Sequence, residues 1–334
     1  MKKLAIIKCC ITLLTVLAVL PSCKKLPNGY ISPLIRYEED PIIIKKGWTK
    51  VSSALNFDGA TKPAKIKLIH IYDKATGAIV DDIFLKTYKI KGWKGLFNPR
   101  IDTTLEQVSA KQIELDLPAI VINEVSGQVE ANLNTKFLPA GDYEYDLEIS
   151  NSAGKSLYPK IGQLQILDAP PFEGSPSDLG SANNRMYKVG EESNPVLANT
   201  PIVTVTKIAD DPLMVTLKLV DKNGTPFNPL AGEVLHRPAT SSDIPFFQSL
   251  EEYAYQVKKY NDRMELFYAA APFPLSTRGP GYNFYYRIPA QLFMMDDQVK
   301  FPYGERNSTP RFVLKIYSPG NYEVEVKMPD MTHK

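Results

Sequence analysis

The clearest strand signal in the chain is Gly141-Asp142-Tyr143-Glu144-Tyr145-Asp146-Leu147-Glu148-Ile149. Apolar and acidic residues alternate through it, so every second side chain lies on the same face of a β-strand. The residues predicted on the buried face are Tyr143, Tyr145, Leu147 and Ile149. A polar turn at 151–155 and a second apolar run at 161–167 follow. Together these segments predict an antiparallel hairpin with one buried face.

Outward from this hairpin, residues 64–72 alternate in the same way and end in the turn 73–77. The alternation predicts Ile66, Leu68 and His70 on one face, and Lys65, Lys67, Ile69 and Ile71 on the other. The second half repeats these landmarks. Residues 213–220 with the turn 221–224 resemble the first pair, and residues 318–326 resemble residues 139–149. Common ancestry and chance similarity of turn–strand sequences both remain open.

These patterns predict a mainly β protein with two tandem immunoglobulin-like β-sandwich domains. Strand-breaking residues are concentrated at 168–177, which makes this segment the best linker. The predicted boundaries are residues 48–168 for the first β-sandwich, 169–180 for the linker and 181–334 for the second.

A small helical insertion is predicted in the second domain around residues 249–260. Ser249-Leu250-Glu251-Glu252 has the form of a capping box, in which Glu252 reaches back to the amide of Ser249. The apolar residues that follow at helical spacing are Leu250, Tyr253, Ala254 and Val257.

The first 23 residues form a cationic start, an apolar run and the sequence Leu20-Pro21-Ser22-Cys23. A permanent transmembrane anchor is one interpretation. Lys8, Cys9 and Cys10 interrupt the run, and the remaining core, 11–20, has the length of a signal peptide. The segment resembles a bacterial lipoprotein signal with its lipobox. This resemblance implies a signal peptide at 1–22, lipid on Cys23 that holds the chain to the membrane, and a lipidated tether and lead-in at 23–47.

Composition argues against several function classes. Without Lys2, Lys3 and Lys8 the chain has 36 basic and 37 acidic residues, so no basic excess indicates a nucleic-acid partner. With Cys23 acylated, no cysteine remains for a disulfide or a metal. Three histidines, His70, His236 and His333, are too scattered for a zinc site or a serine triad. We therefore predict no catalytic residues, no metal, no cofactor and no enzyme activity.

Two aromatic segments are candidate ligand sites. In the first segment, Tyr285 shares a strand face with Asn283 and Arg287. An aromatic ring beside amide and guanidinium donors is a typical arrangement for binding a sugar. Trp93 lies in 91–95, which is predicted to be a loop tip. The alternative is that the aromatic residues of both segments are structural. One face then forms sandwich core, and neighbouring structure covers the other. A glycan site should expose Trp93 or Tyr285 in a concave patch with a polar rim.

The runs 215–229 and 281–289, together with the lipobox, resemble an uncharacterised family of Bacteroidetes outer-membrane lipoproteins, a domain of unknown function. Such proteins are commonly encoded beside a starch-utilisation-type TonB-dependent transporter and its partner lipoprotein. The resemblance implies a non-enzymatic accessory binding or assembly subunit of a glycan or nutrient uptake system. The alternative is a structural or adhesion lipoprotein that holds protein partners. Many surface lipoproteins carry acidic residues directly after the acylated cysteine, whereas this chain has Lys24 and Lys25. The sequence therefore does not decide on which face of the membrane the protein lies.

Overall fold

The computed structural model describes residues 29–98, 101–102, 104–238, 247–277 and 281–334. The predicted signal peptide and Cys23 lie outside the described residues, so lipidation stays a prediction. Within the described ranges, no helix is both long and apolar enough to cross a membrane.

The chain is mainly β, as predicted, and its sheets fit a sandwich arrangement. The strands of the first half are β1 (Ile42–Lys45), β2 (Lys50–Val51), β3 (Lys65–Asp73), β4 (Thr87–Trp93), β5 (Gln112–Pro118), β6 (Ile120–Ile122), β7 (Val129–Ala131), β8 (Gly141–Asn151) and β9 (Gly154–Leu167). Its helices are α1 (Asp81–Phe84), α2 (Leu105–Ala110) and a 3-10 turn (Leu133–Phe137).

The main sheet of the first half has the order β1-β9-β8-β3, beside a smaller sheet β2-β7-β6 and the ribbon β4-β5. The four predicted inward residues of β8 are all buried in the first hydrophobic core, at 4% exposure or less. Ile42 and Ile44, in the predicted lead-in, are also part of this core because β1 pairs in parallel with β9. The lead-in thus contributes the edge strand of the sheet.

The predicted faces of β3 hold only over its first part. Ile66 is buried as expected, but the register with β8 shifts between Leu68 and Ile71. After this irregularity Ile71 is buried and His70 is partly exposed, so Ile66 and Ile71, predicted on opposite faces, are both buried. A β-bulge adds a residue to one strand, so strict alternation cannot continue across it.

The strands of the second half are β10 (Phe172–Gly174), β11 (Asn183–Lys188), β12 (Val196–Leu197), β13 (Ile202–Ala209), β14 (Met214–Val220), β15 (Leu235–His236), β16 (Gln256–Lys259), β17 (Met264–Phe267), β18 (Asn283–Arg287), β19 (Phe293–Met295), β20 (Arg306–Ile316), β21 (Asn321–Lys327) and β22 (Met331–His333). Two 3-10 turns complete it, at Leu250–Tyr253 and Ala290–Leu292.

Two larger sheets, β12-β11-β20-β18-β15 and β13-β21-β14-β17-β16, enclose the second hydrophobic core. Phe284 and Tyr286 of β18 enter this core from the first sheet, and Tyr322 and Val324 of β21 enter it from the second. β10, in the predicted linker, pairs with β20 and extends the first sheet.

The predicted helix over 249–260 is wrong in its extent. The amide of Ser249 donates to Glu252 Oε1 at 3.0 Å, as the capping box requires, but helical structure stops at Tyr253. Residues 256–259 form β16, antiparallel to β17. All four residues of the predicted apolar stripe do pack on the second core. The pattern therefore identified the buried side chains, while sheet pairing decided the backbone conformation.

The two halves share a turn but not a topology. Tyr143 Oη donates to the carbonyl of Pro139 at 3.2 Å, and Tyr322 Oη donates to that of Ser318 at 2.8 Å. Each tyrosine lies two residues after a glycine with φ +156°, and the arrangement is similar to the tyrosine corner of sandwich folds. However, β3 runs antiparallel to β8, whereas β14 runs parallel to β21. The strand similarity seen in the sequence therefore does not mark equivalent strand positions.

Trp48 joins the two halves. Its ring stacks on Tyr317 with centroids 3.6 Å apart and planes at 9°, and its Nε1 donates to the carbonyl of Pro170 at 2.8 Å. Close by, the hydroxyl of Ser318 donates to the carbonyl of Gly47 at 3.4 Å. We call these contacts the Trp48 joint.

Candidate functional site

A cleft of about 270 Å³ lies between the two halves, next to the Trp48 joint. Its size is close to the lower end of the range of small-molecule sites. The residues that line it, here called the Trp93 cleft, are Lys89, Ile90, Lys91, Trp93, Gln112, Leu133, Asn134, Lys136, Leu213, Ala269, Ala270, Ala271, Ser318 and Pro319.

The β4–β5 ribbon supplies the aromatic side of the cleft. Trp93 is the last residue of β4 and lies opposite Gln112, and it belongs to a paired strand where the sequence predicted a loop tip. Its side chain is 39% exposed, with one edge near the ring of Phe97 at 5.8 Å. An indole held by strand pairing and open to a cleft can stack on the apolar face of a ligand.

The 3-10 turn at Leu133–Phe137 forms the floor of the cleft. The side chain of Asn132 accepts from the amide of Asn134 at 2.9 Å, which fixes the start of the turn. Phe137 stacks on Tyr88 at 4.7 Å and so ties the turn to the ribbon. Asn134 is 6% exposed, and its Nδ2 has no hydrogen-bond partner in the ranges described. A buried donor of this kind is costly unless a ligand or water accepts from it.

The second half contributes the opposite wall, which is mostly small and apolar. Leu213 precedes β14, residues 269–271 follow β17, and Ser318 and Pro319 form the turn before β21. Short side chains leave space for a flat ligand in front of Trp93. The first half thus lines the Trp93 cleft with one exposed ring, the amide of Gln112 and lysines, and the second half lines it mostly with small or apolar residues.

The second predicted site lies on the outer side of β18, and we call it the Tyr285 face. Tyr285 is half-buried, and the ring of Phe247 packs edge-on against it at 5.2 Å. Its amide donates to the carbonyl of Gln248 at 2.9 Å, and Asn283 accepts through its carbonyl from Gln248 Nε2 at 2.9 Å. The predicted residues are thus together on one face, as expected, but neighbouring structure covers them.

Arg287 on this face is already paired. Its Nη1 and Nη2 donate to the two carboxylate oxygens of Glu192 at 2.5 and 2.6 Å. Arg237, 2% exposed, stacks over the ring of Phe247 at 3.5 Å. Burial lowers the pKa of Arg237, and neighbouring Arg287 lowers it further, against the opposing effects of Tyr187 and Glu192. The guanidinium groups here mainly hold the face together.

Each of the three histidines contacts a single carboxylate: His70 with Asp81, His236 with Glu252 and His333 with Glu233, at 2.8 to 3.0 Å. Among the residues with described positions, no group of three or more metal-ligating side chains occurs.

Sequence reasoning missed most of the Trp93 cleft. Gln112, Asn134 and Lys136 carry no local signal, and residues 269–271 reach the cleft only through the packing of the two halves. Glu192 and Arg237 of the Tyr285 face were missed for the same reason.

No family model and no curated protein matches the chain, so the predicted family membership stays a prediction. Among solved structures, the chain is similar to a SusE-like surface-located polysaccharide-binding protein from the heparin utilisation locus of Bacteroides thetaiotaomicron. The identity is 8%, the TM-score is 0.26, and the match covers 88% of this chain and 53% of that one. It is also similar to the four N-terminal Ig domains of Dscam1 isoform 4.4, at 12% identity and a TM-score of 0.19, covering 89% and 53%. The chain spans about half the length of these structures, and TM-scores this low carry no argument about a ligand.

Proposed function

We propose that the chain is a lipid-anchored, non-enzymatic accessory subunit of an outer-membrane glycan uptake system, and that the Trp93 cleft binds the glycan. Its anchor would be Cys23, and its partners a TonB-dependent transporter with its companion lipoprotein. Two β-sandwich domains joined by residues 169–180 would carry the cleft between them.

The observation that carries this proposal is the exposed ring of Trp93 in a concave patch lined by amide groups. Sugar rings present C–H faces that stack on aromatic rings, while their hydroxyls need hydrogen-bond partners. Gln112, directly opposite Trp93 in the β4–β5 ribbon, provides such a partner. The Tyr285 face offers a more covered ring and a paired guanidinium, so it supports the proposal less well.

The test is a glycan-array screen of the full-length chain in detergent, followed by calorimetry on the best ligand. We expect Trp93→Ala to weaken binding by about 2 kcal/mol, about thirtyfold, as for a central aromatic anchor. Tyr30→Ala is the matched control, because Tyr30 is a similarly exposed aromatic outside the cleft lining.

Two results contradict the proposal. If Trp93→Ala and Tyr30→Ala bind equally well, the glycan does not occupy the Trp93 cleft. If the full-length chain binds no glycan at all, the alternative of a structural or adhesion lipoprotein is favoured, and its protein partner becomes the target of the search.

A further inference from the structure

The charged side chains that line the Trp93 cleft all have the same sign. They are Lys89, Lys91 and Lys136, and none of the lining residues is an acid. Of the remaining polar side chains, Gln112 and Asn134 carry amide donors, whereas the hydroxyl of Ser318 already donates to the carbonyl of Gly47. Asn134 Nδ2 stands out because it is buried and, within the described parts of the chain, has nothing to donate to. The cleft therefore presents positive charge and the side-chain amide of Gln112 to whatever enters it.

The acids nearest to these lysines include two on the same ribbon, because Glu114 lies opposite Lys91 and Asp116 lies opposite Lys89 in the strand register. On the ribbon, Glu114 lies 3.8 Å from Lys89, but both side chains are more than two-thirds exposed, so the pair is weak. Asp210 lies near Lys136, but its close partner is Lys207 at 2.6 Å.

Two of the lysines have no ion pair at all. No carboxylate in the described ranges lies within 4.0 Å of Lys91 or Lys136. Lys136 instead contacts the ring of Phe137, at 4.8 Å from its centroid. Two ammonium groups without acid partners beside an exposed indole form a site for an anion that also has a flat apolar face.

We propose that the Trp93 cleft selects acidic saccharides, whose ring stacks on Trp93 while a carboxylate or sulfate group binds Lys91 and Lys136. This inference rests on the proposed function and narrows it to one ligand class. Uronate and sulfated sugars share the required chemistry: an anionic group with several acceptor oxygens, attached to a pyranose or furanose ring.

Matched ligands separate charge from shape. For the uronate arm, the full-length chain is titrated with oligogalacturonate and with its methyl ester, which removes the charge and keeps the ring. For the sulfate arm, a sulfated galacto-oligosaccharide is compared with its unsulfated parent. We expect the acidic member of at least one pair to bind at least about tenfold more tightly, with an advantage that shrinks as salt is raised from about 20 to about 500 mM.

Matched variants connect this preference to the cleft. Lys91→Gln/Lys136→Gln should lose about tenfold in affinity for the acidic ligand and little for the uncharged one. Lys67→Gln/Lys155→Gln removes the same net charge from exposed positions outside the cleft lining, and should leave both affinities within twofold. Folding is checked by thermal unfolding of each variant.

The outcomes distinguish the two proposals. If uncharged glycans bind as tightly as their acidic partners, and Trp93→Ala abolishes both, the glycan function stands and acid selection is overturned. If the two double variants lose equal affinity for the acidic ligand, the effect comes from the net charge of the whole protein and not from the cleft. The inference is then again overturned. If no glycan of any class binds, both proposals fail.

Discussion

The Trp93 cleft and the Tyr285 face contain similar residue types but use them differently. Both combine aromatic rings, amides and cationic side chains. On the Tyr285 face, Arg287 is paired with Glu192 and Arg237 is stacked on Phe247. In the cleft, Lys91 and Lys136 have no acid partner among the described residues, and the buried amide of Asn134 has nothing to donate to. Sequence composition does not separate the two cases, whereas the ion pairing of the cations does. The Nε atoms of Arg237 and Arg287 are also buried without a hydrogen-bond partner among the described residues, but both guanidinium groups lie against Glu192.

The difference predicts which property of the protein, stability or binding, depends on each surface. A buried polar group that already has a partner stabilises the fold, and its removal leaves that partner unpaired. A polar group without a partner at the edge of a cleft contributes little to the fold and is available to a ligand. Substitutions on the Tyr285 face should therefore change stability, and substitutions in the Trp93 cleft should change binding.

The largest effect is expected for Arg287→Leu. The substitution removes the bidentate partner of Glu192 at a nearly buried position. It should lower the free energy of unfolding by about 3 kcal/mol. Urea denaturation of the full-length chain measures the change. Lys65→Leu is the control, because its ion pair with Glu124 is about 70% exposed on both sides and should matter by less than about 1 kcal/mol. Equal effects of the two substitutions would show that Arg287 is not structural.

Next in size is the contrast between the two rings. Trp93→Ala should cost about 2 kcal/mol of glycan affinity, whereas Tyr285→Ala should leave affinity within twofold because Phe247 packs against that ring. Calorimetry with the same ligand measures both. A larger loss for Tyr285→Ala would move the binding site to the other face.

Two asparagines sharpen the comparison within the floor of the cleft. Asn134→Ala should leave glycan affinity within twofold and should not lower stability, since its Nδ2 is buried and makes no hydrogen bond within the described structure. Asn132→Ala should instead lower stability. Its side chain accepts from the amide of Asn134 and donates to the carbonyl of Pro118, so its loss should destabilise the chain by about 1–2 kcal/mol. Urea denaturation and calorimetry on both variants measure stability and glycan affinity. Equal losses of stability in the two variants would contradict the prediction.

The smallest effect concerns pH. The hydrogen bond with Glu252 raises the pKa of His236, so protonated His236 stabilises the folded state. This contribution is fully present below the unfolded pKa of about 6.5 and is lost as pH rises through the folded pKa. His236→Gln should therefore reduce stability at pH 5.5, by at most about 0.5 kcal/mol for a pair this exposed, and less at pH 8.5. Glycan affinity of the cleft should stay constant over this range, because no histidine lines it.

Much of the strand structure could be predicted from the sequence because side-chain alternation is a local property. The buried residues of β8 and β21 follow directly from it. It was wrong where a non-local contact decided the conformation: the bulge in β3 is set by pairing with β8, and β16 is held by β17.

The candidate site was less accessible to prediction for a related reason. Trp93 could be selected as an aromatic residue near a turn, and Tyr285 by its neighbours in the strand. Which of them faces a cleft depends on elements far apart in the chain, such as the wall at 269–271 and the cover provided by Phe247. No local pattern records those contacts.

The Trp48 joint sets the separation of the two walls of the cleft before any ligand arrives. Ring stacking and two hydrogen bonds link the halves, so under the proposed function a saccharide would meet a slot that is already formed. The loss of conformational entropy on binding then falls mainly on the sugar chain, because the receptor has little left to order. Capture can proceed at the rate of productive encounters, without waiting for a rearrangement of the protein.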